Sequence, residues 1–218
     1  MNKLIDKQRF LSLLRDDMTI MVGGFMANGA PETLINLVVE SGVRNITLIS
    51  TDTAIPSKGV SKLIASKQVS KLLASHIGLN PETGKQMNQG SLDVELVPQG
   101  TLAERIRSGG AGLGGVLTKT GLGTIVAEGK QTLIIDGEEY LLELPLRADL
   151  ALIRGSRVDS KGNIFYNKTT RNFNSLMATA ADTVVAEAEL LVALGDIQPE
   201  SVHTPSLFVD HTFEGTFA

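Results

Sequence analysis

Between Ile20 and Val39 the chain reads IMVGGFMANGAPETLINLVV, and this stretch constrains the fold more than any other. A short apolar run stops at Gly23 and Gly24. Phe25 follows, then Gly29. Pro31 opens a second apolar run, in which Leu34, Ile35 and Val38 fall on one helical face. Pro31 suits the first helical position and Gly42 the stop. The stretch therefore predicts a strand (Thr19–Val22), a glycine-rich turn and a helix. Repeated, that unit builds a parallel sheet with helices on both faces.

The alternation continues. ITLIS (46–50) and VSKLLAS (69–75) predict two more buried strands, with a helix marked by Val60, Leu63 and Ile64 between them. A polar stretch, GLNPETGKQMNQGS, leads to LDVELV (92–97), a fourth strand also expected to be buried. Leu102 and Ile106 mark a short helix after PQGT. Phe10 with Leu4, Leu11 and Leu14 predicts a short opening helix. QTLIIDGEEYLLEL has the form of a β-hairpin with Asp136 and Gly137 in its turn. ADLALIRGSRVD (148–159) reads as one strongly buried strand, FNSLMATAA as a helix and DTVVAEA as a further strand. The expectation is an α/β fold: an open, largely parallel sheet flanked by helices, as one domain spanning 1–218. Such sheets bind ligands outside the carboxyl ends of their strands, and the turns after Val22 and Val97 both lie at such ends.

Composition narrows the chemistry. The absence of cysteine rules out disulfides, thiol catalysis and Cys-ligated metal. His76, His203 and His211 are too far apart in sequence to suggest a metal site, so no metal is expected. A net charge of −4 without basic blocks argues against a nucleic-acid partner. No run approaches the roughly 18 apolar residues of a membrane span. MNKLIDKQRF carries no apolar leader core, which makes a cytoplasmic location the expectation. The 22 glycines among 218 residues are clustered, which points to backbone shaped around something.

Two segments are candidates for that role. The first comprises Gly23, Gly24, Phe25, Met26, Ala27, Asn28, Gly29 and Ala30. Glycine backbone lets a ligand approach without a Cβ in the way, and the helix that follows offers free N–H groups to an anion. The Gly-Lys-Ser/Thr of a P-loop is missing, and Glu32 would repel a phosphate set in the first helical turn. The segment reads as a surface of close approach more than a phosphate trap, and a tight ligand-free connection stays open. The second is VPQGTLAERIRSGGAGLGGVLTKTGLGT, where Gln99 follows a strand. Its amide would either aim N–H at a developing oxyanion or tie off loop backbone. Seven glycines from Gly109 to Gly123 argue against helix or regular strand, leaving a ligand-wrapping loop or an irregular packed one. Arg105 and Arg107 would meet the phosphates of a nucleotide or lie on a solvated face. Lys168, Arg171 and Asn172, in NKTTRNFN, would order a loop or meet a partner chain.

Taken together the segments resemble the A (alpha) subunits of class I coenzyme A transferases, of the 3-oxoacid, acetate and butyrate–acetoacetate type. The family's first signature asks for Asp or Asn, then Gly or Asn, two free positions, three apolar residues, Gly-Gly-Phe, three free positions, Gly, one free position and Pro. Asp16 to Pro31 follow it with one departure, Asp17, which precedes the strand. VELVPQGTLAERIRSGGAGLGG, LTKTGLGT, LPLRADLALIRGSRVDSKGN and RNFN extend the likeness from about Asp16 to Thr204.

The resemblance implies an open α/β fold shared with sugar-phosphate isomerases. It implies ping-pong transfer of coenzyme A between an acyl-CoA and a free short-chain carboxylate through a glutamyl-CoA intermediate. The family's nucleophilic glutamate stands in a Ser-Glu-Asn-Gly segment of the B half, and this sequence has none. A beta subunit, in an α2β2 assembly, is therefore the implied partner, with coenzyme A as substrate and no tightly bound cofactor. By the same resemblance Gly24–Ala30 contributes to coenzyme A binding and Gln99 donates to the oxyanion. Gly23 and Gly24 are then expected to let main chain line the cleft wall where acyl-CoA and the partner subunit meet. A sugar-phosphate sensor or isomerase-like domain on the same fold is the alternative.

Overall fold

The structure is a computed structural model and describes residues 3–216. Helix α1 (Lys7–Leu11) is followed by β1 (Thr19–Val22), α2 (Glu32–Ser41), β2 (Ile46–Ser50), α3 (Ser61–Ala65), β3 (Val69–Ala74), α4 (Pro81–Asn88), β4 (Asp93–Leu96) and α5 (Gln99–Gly110). An antiparallel excursion holds β5 (Val116–Thr118), β6 (Thr132–Ile135) and β7 (Glu138–Glu143). The chain then returns through β8 (Ala148–Gly155), β9 (Arg157–Asp159), β10 (Ile164–Phe165), α6 (Asn174–Met177), β11 (Ala181–Ala188), β12 (Leu191–Val192) and β13 (His211–Glu214).

Seven strands form one sheet in the order β13-β11-β8-β1-β2-β3-β4, and every neighbouring pair is parallel. The chain leaves β1 in one direction as far as β4 and comes back to β8 on the other side of β1. The order therefore reverses at β1, which is where such sheets open a crevice at their carboxyl edge. Ile20, Met21 and Val22 are fully buried because both faces of the sheet are covered. Ile20 and Val22 pack with Leu34, Ile35 and Val38 of α2 and Leu63 and Ile64 of α3. Met21 packs on the opposite face with Leu102 and Ile106 of α5 and Met177 of α6. Each such side chain contributes roughly 1.5–3 kcal/mol through burial.

The parallel α/β expectation holds, and so does the hairpin. Asp136 and Gly137 have φ of 52° and 77°, the pair of positive values that a type I′ turn needs. Five expectations are corrected. β4 is the edge of the sheet, and none of its residues is fully buried. The polar stretch before it contains α4, capped by Asn80, whose side chain accepts the Glu82 N–H, with Pro81 at its start. Its inward side chains are Thr83 and Gln86, so it shows no apolar stripe; the Gln86 amide donates to Ile64 O at 2.9 Å. The Gly109–Gly123 segment is not irregular throughout. α5 runs on to Gly110, and β5 pairs with β7. A Cβ at Gly109 would strike Leu146 O and one at Gly110 would strike Thr179, so these two glycines admit close helix packing. The long buried strand from Ala148 divides into β8 and β9 at Ser156, and Leu4 joins Thr212 in a bridge outside α1.

Candidate active site

The turn after β1 stands at the carboxyl edge between β8 and β2. Phe25 and Asn28 bridge each other, with N–H to O distances of 3.0 and 2.8 Å in the two directions. The two residues between them, Met26 and Ala27, have φ of 50° and 68°. This is a two-residue hairpin without glycine at its tip, and left-handed backbone costs roughly 1–2 kcal/mol per such residue. Side chains from elsewhere offset that cost. Asp52, just past β2, accepts Met26 N–H at 2.9 Å and Ala54 N–H at 2.7 Å, and Ala54 is itself at φ 55°. Thr51 Oγ1 donates to Gly24 O at 2.8 Å.

The opposite flank is closed by the RNFN segment. Asn172 Oδ1 accepts Gly24 N–H at 3.1 Å, and its Nδ2 donates to Asn28 O at 2.9 Å. Asn174 is fully buried. It donates to Gly29 O at 3.0 Å and accepts Arg154 N–H at 3.0 Å. Asn174 Oδ1 also lies where a Cβ of Gly23 would stand, while Gly24, at φ 121°, packs against Ala30. At Gly23, then, the close approach that the sequence assigns to a ligand is made by the chain's own Asn174. The two readings of Asn172 resolve the same way, since it orders a loop.

The start of α2 is also occupied. Pro31 is the cap residue and makes no side-chain cap bond; Glu187 of β11, fully buried, accepts Leu34 N–H at 2.8 Å instead. Burial pushes its carboxyl up to about 7, against the opposing pull of the helix N–H groups and Arg154. Glu32 accepts Gly59 N–H at 2.7 Å and pairs with Lys62 at 2.6 Å. An anion would therefore compete with built-in carboxylates at this helix end, which agrees with a close-approach surface and not with a phosphate trap. What the turn offers outward is Phe25 and Met26, 41% and 46% exposed, and the exposed Asn28.

Gln99 opens α5 and is exposed. No described residue hydrogen-bonds its amide, so it does not tie off loop backbone. It shares the carboxyl edge with the Gly23–Ala30 turn but follows β4, three strands from β1, or roughly 14 Å at about 4.8 Å per strand. Beside it a groove of about 310 Å³ runs between Gly100, Thr101 and Glu104 of α5 and Val116, Leu117 and Thr118 of β5. Glu95 pairs with Arg105 at 2.7 Å and Glu104 with Arg107 at 3.1 Å. Arg105 is buried, also donates to Leu144 O at 2.9 Å, and so pins the antiparallel excursion to the sheet edge. Among the described residues no group of three or more His, Asp or Glu gathers as a metal site. Asp52 and Glu187 are the functional-looking residues that the sequence reading missed. A lone acid inside the apolar run DTVVAEA is the signal that marks Glu187; nothing local marks Asp52.

The family model described as Coenzyme A transferase matches residues 7–215. The chain is 56% identical over 209 residues to the acetate CoA-transferase subunit alpha of Escherichia coli (strain K12), covering 96% of this chain and 95% of that protein. It is 53% identical over 210 residues to the acetoacetyl-CoA:acetate/butyrate CoA transferase alpha subunit of Clostridium acetobutylicum, covering 96% of each. Among solved structures, an acyl-CoA transferase (YdiF) from E. coli O157:H7, in a thioester complex with CoA, superposes with a TM-score of 0.86 at 22% identity. That match covers 98% of this chain and 47% of that one. At such identity the likeness speaks for the fold, and this chain spans about half the length of that structure's chain.

Proposed function

The chain belongs to the coenzyme A transferase family, and from that premise we propose that it is the alpha subunit of a cytoplasmic α2β2 enzyme. The enzyme moves coenzyme A between a short-chain acyl-CoA (acetyl-, butyryl- or acetoacetyl-CoA) and a free carboxylic acid. The observation that carries this reading is the 56% identity, over nearly the whole of both chains, to a protein named acetate CoA-transferase subunit alpha.

The chemistry divides between two chains. A glutamate of the beta subunit attacks the thioester carbonyl, and the carbonyl electron pair moves onto oxygen. Collapse of the tetrahedral intermediate expels the coenzyme A thiolate and leaves an acyl-glutamyl anhydride. The thiolate attacks the glutamyl carbonyl of that anhydride, frees the first carboxylate and leaves a glutamyl-CoA thioester. The incoming acid reverses the two steps. A carboxylate is already ionised at neutral pH, so the demanding tasks are stabilising the oxyanion and keeping water from the anhydride.

The division of labour is supported by the state of the glutamates around the two glycine-rich segments. Glu32, Glu95 and Glu104 are each held by a cation, and Glu187 is buried under α2. The Gln99 amide, exposed and untied, is free to donate to an oxyanion, a contact worth roughly 3–4 kcal/mol of barrier. Gly24–Ala30, held rigid from both flanks, would present Phe25, Met26 and Asn28 to the acyl-CoA. The test is acyl exchange by the purified chain with and without its beta subunit. Exchange is expected only with both, and turnover by this chain alone would contradict the reading.

A further inference from the structure

An open cleft of about 580 Å³ lies on the α5 and α6 side of the sheet, and Asn172, which closes one flank of the turn after β1, is also part of its lining. Arg107 of α5, Leu176 of α6, Arg171, Phe173, His203 and Phe208 line it. Its volume is in the range of small-molecule sites. The chain has only seven Phe and two Tyr, yet Phe173 and Phe208 line this cleft and Phe165 and Tyr166 form the wall behind His203.

Three of its polar side chains, Arg107, Arg171 and His203, offer N–H donors. His203 Nδ1 accepts the Tyr166 backbone N–H at 3.0 Å. Its ring stacks on Phe165, with centroids 5.0 Å apart, and lies parallel to Tyr166 at 6.0 Å. With Nδ1 occupied, the proton of the neutral ring sits on Nε2, and no described residue accepts it. Burial and the nearby Arg171 guanidinium lower the basicity of the ring and keep it neutral. Arg171 has no ion pair among the described residues. Arg107 meets Glu104 through Nε, which leaves its terminal amino groups free.

We propose that this cleft binds a nucleoside phosphate, with the base against Phe173 and Phe208 and the phosphate on Arg171, Arg107 and His203 Nε2–H. Aromatic faces, two guanidinium groups and a neutral imidazole donor together select a flat heterocycle joined to an anion. Two sources share that chemistry. One is the 3′-phosphorylated nucleotide end of coenzyme A itself, which rests on the function proposed above. Arg107 lies eight residues beyond Gln99 on the same helix, roughly 12 Å along its axis, so an extended coenzyme A lying on α5 would reach both. The other is a free nucleotide acting as an effector.

Calorimetric titration of the purified chain with coenzyme A, adenosine 3′,5′-bisphosphate, dephospho-coenzyme A and ATP separates the sources. Preference for the first two identifies the substrate's own nucleotide; preference for ATP identifies an effector. In either case Arg171→Ala and Arg107→Ala should each weaken binding about tenfold, with Arg171→Lys partly restoring it. Both arginines are exposed, so circular dichroism should show folded variants. In the complex with the beta subunit, the substrate source requires Arg171→Ala to raise KM for acyl-CoA while kcat stays unchanged. Absence of nucleotide binding by the chain and by the complex would overturn the proposal, as would binding that neither alanine variant alters. A complex that binds nucleotide in this cleft but exchanges no acyl group would instead remove the function proposed above and leave the cleft standing.

Discussion

Asn174 Oδ1 occupies the space that a Cβ on Gly23 would need, and the same amide holds Gly29 O and Arg154 N–H. The turn after β1 is thus keyed by a residue that follows β10 in sequence. Gly23→Ala should cost about 1–3 kcal/mol by overpacking, and Asn174→Ala a similar amount by removing the partner of Gly29 O, Thr170 O and Arg154 N–H. The double variant should cost less than the sum, because the shortened side chain at position 174 makes room for the new methyl. Urea unfolding of the four proteins measures the coupling. Strict additivity would show that the two residues do not share this notch.

Asp52 holds two left-handed residues at once, Met26 and Ala54. Asp52→Asn keeps one acceptor and loses the charge that strengthens both bonds. It should destabilise the fold by about 1–3 kcal/mol and speed hydrogen exchange at the Met26 amide more than at the amides of β1. Equal exchange rates in the variant and the parent protein would show that the turn holds its shape without the carboxylate.

Glu187 makes stability depend on pH. Its folded-state value of about 7 lies above the ordinary 4.5, so the native state binds the proton more tightly than the unfolded chain does. The associated stability is fully present below about 4.5 and is lost as pH rises through 7, on the order of 3 kcal/mol in all. Glu187→Gln keeps an acceptor for Leu34 N–H and removes the titration. Thermal unfolding from pH 4.5 to 8 should then show a flatter profile for the variant over this window. Parallel profiles would mean that the buried carboxyl is not what titrates.

Gln99 is exposed and makes no described side-chain hydrogen bond, so Gln99→Ala should leave the melting temperature within the small range of surface substitutions. Turnover of the complex with the beta subunit should fall roughly 10²–10³-fold, as for loss of one oxyanion donor. Full activity in the variant would remove Gln99 from the mechanism.

Much of this was legible in the residues. The apolar runs at Ile20–Val22 and Ile46–Ser50 read as strands because both faces of the sheet are covered, which leaves them continuously apolar. Asp136-Gly137 declared its turn because few other pairs take positive φ at both positions. Less was legible where the cause lay far along the chain. α4 hid because its inward residues are Thr83 and Gln86, and its signal was Asn80-Pro81, a cap and not a stripe. β4 looked buried because alternation at a sheet edge resembles alternation in a sheet interior. The glycines near Ala111 looked like a loop, and only the positions of Leu146 and Thr179 explain why two of them end a helix.

By itself the order of residues determined a parallel α/β sheet, a glycine-shaped turn at the carboxyl end of its central strand, and the family to which that turn belongs. Periodicity and backbone permissiveness are local properties and can be read from neighbouring positions. Only the tertiary structure decided what enters the permitted space. A missing Cβ is a vacancy that many groups can fill. β8 lies beside β1, and the chain beyond it brings Asn172 and Asn174 to one flank of the turn while Asp52 closes the other. That exchange of a ligand's place for an internal amide depends on which strands become neighbours, and no stretch of sequence around Gly23 encodes it.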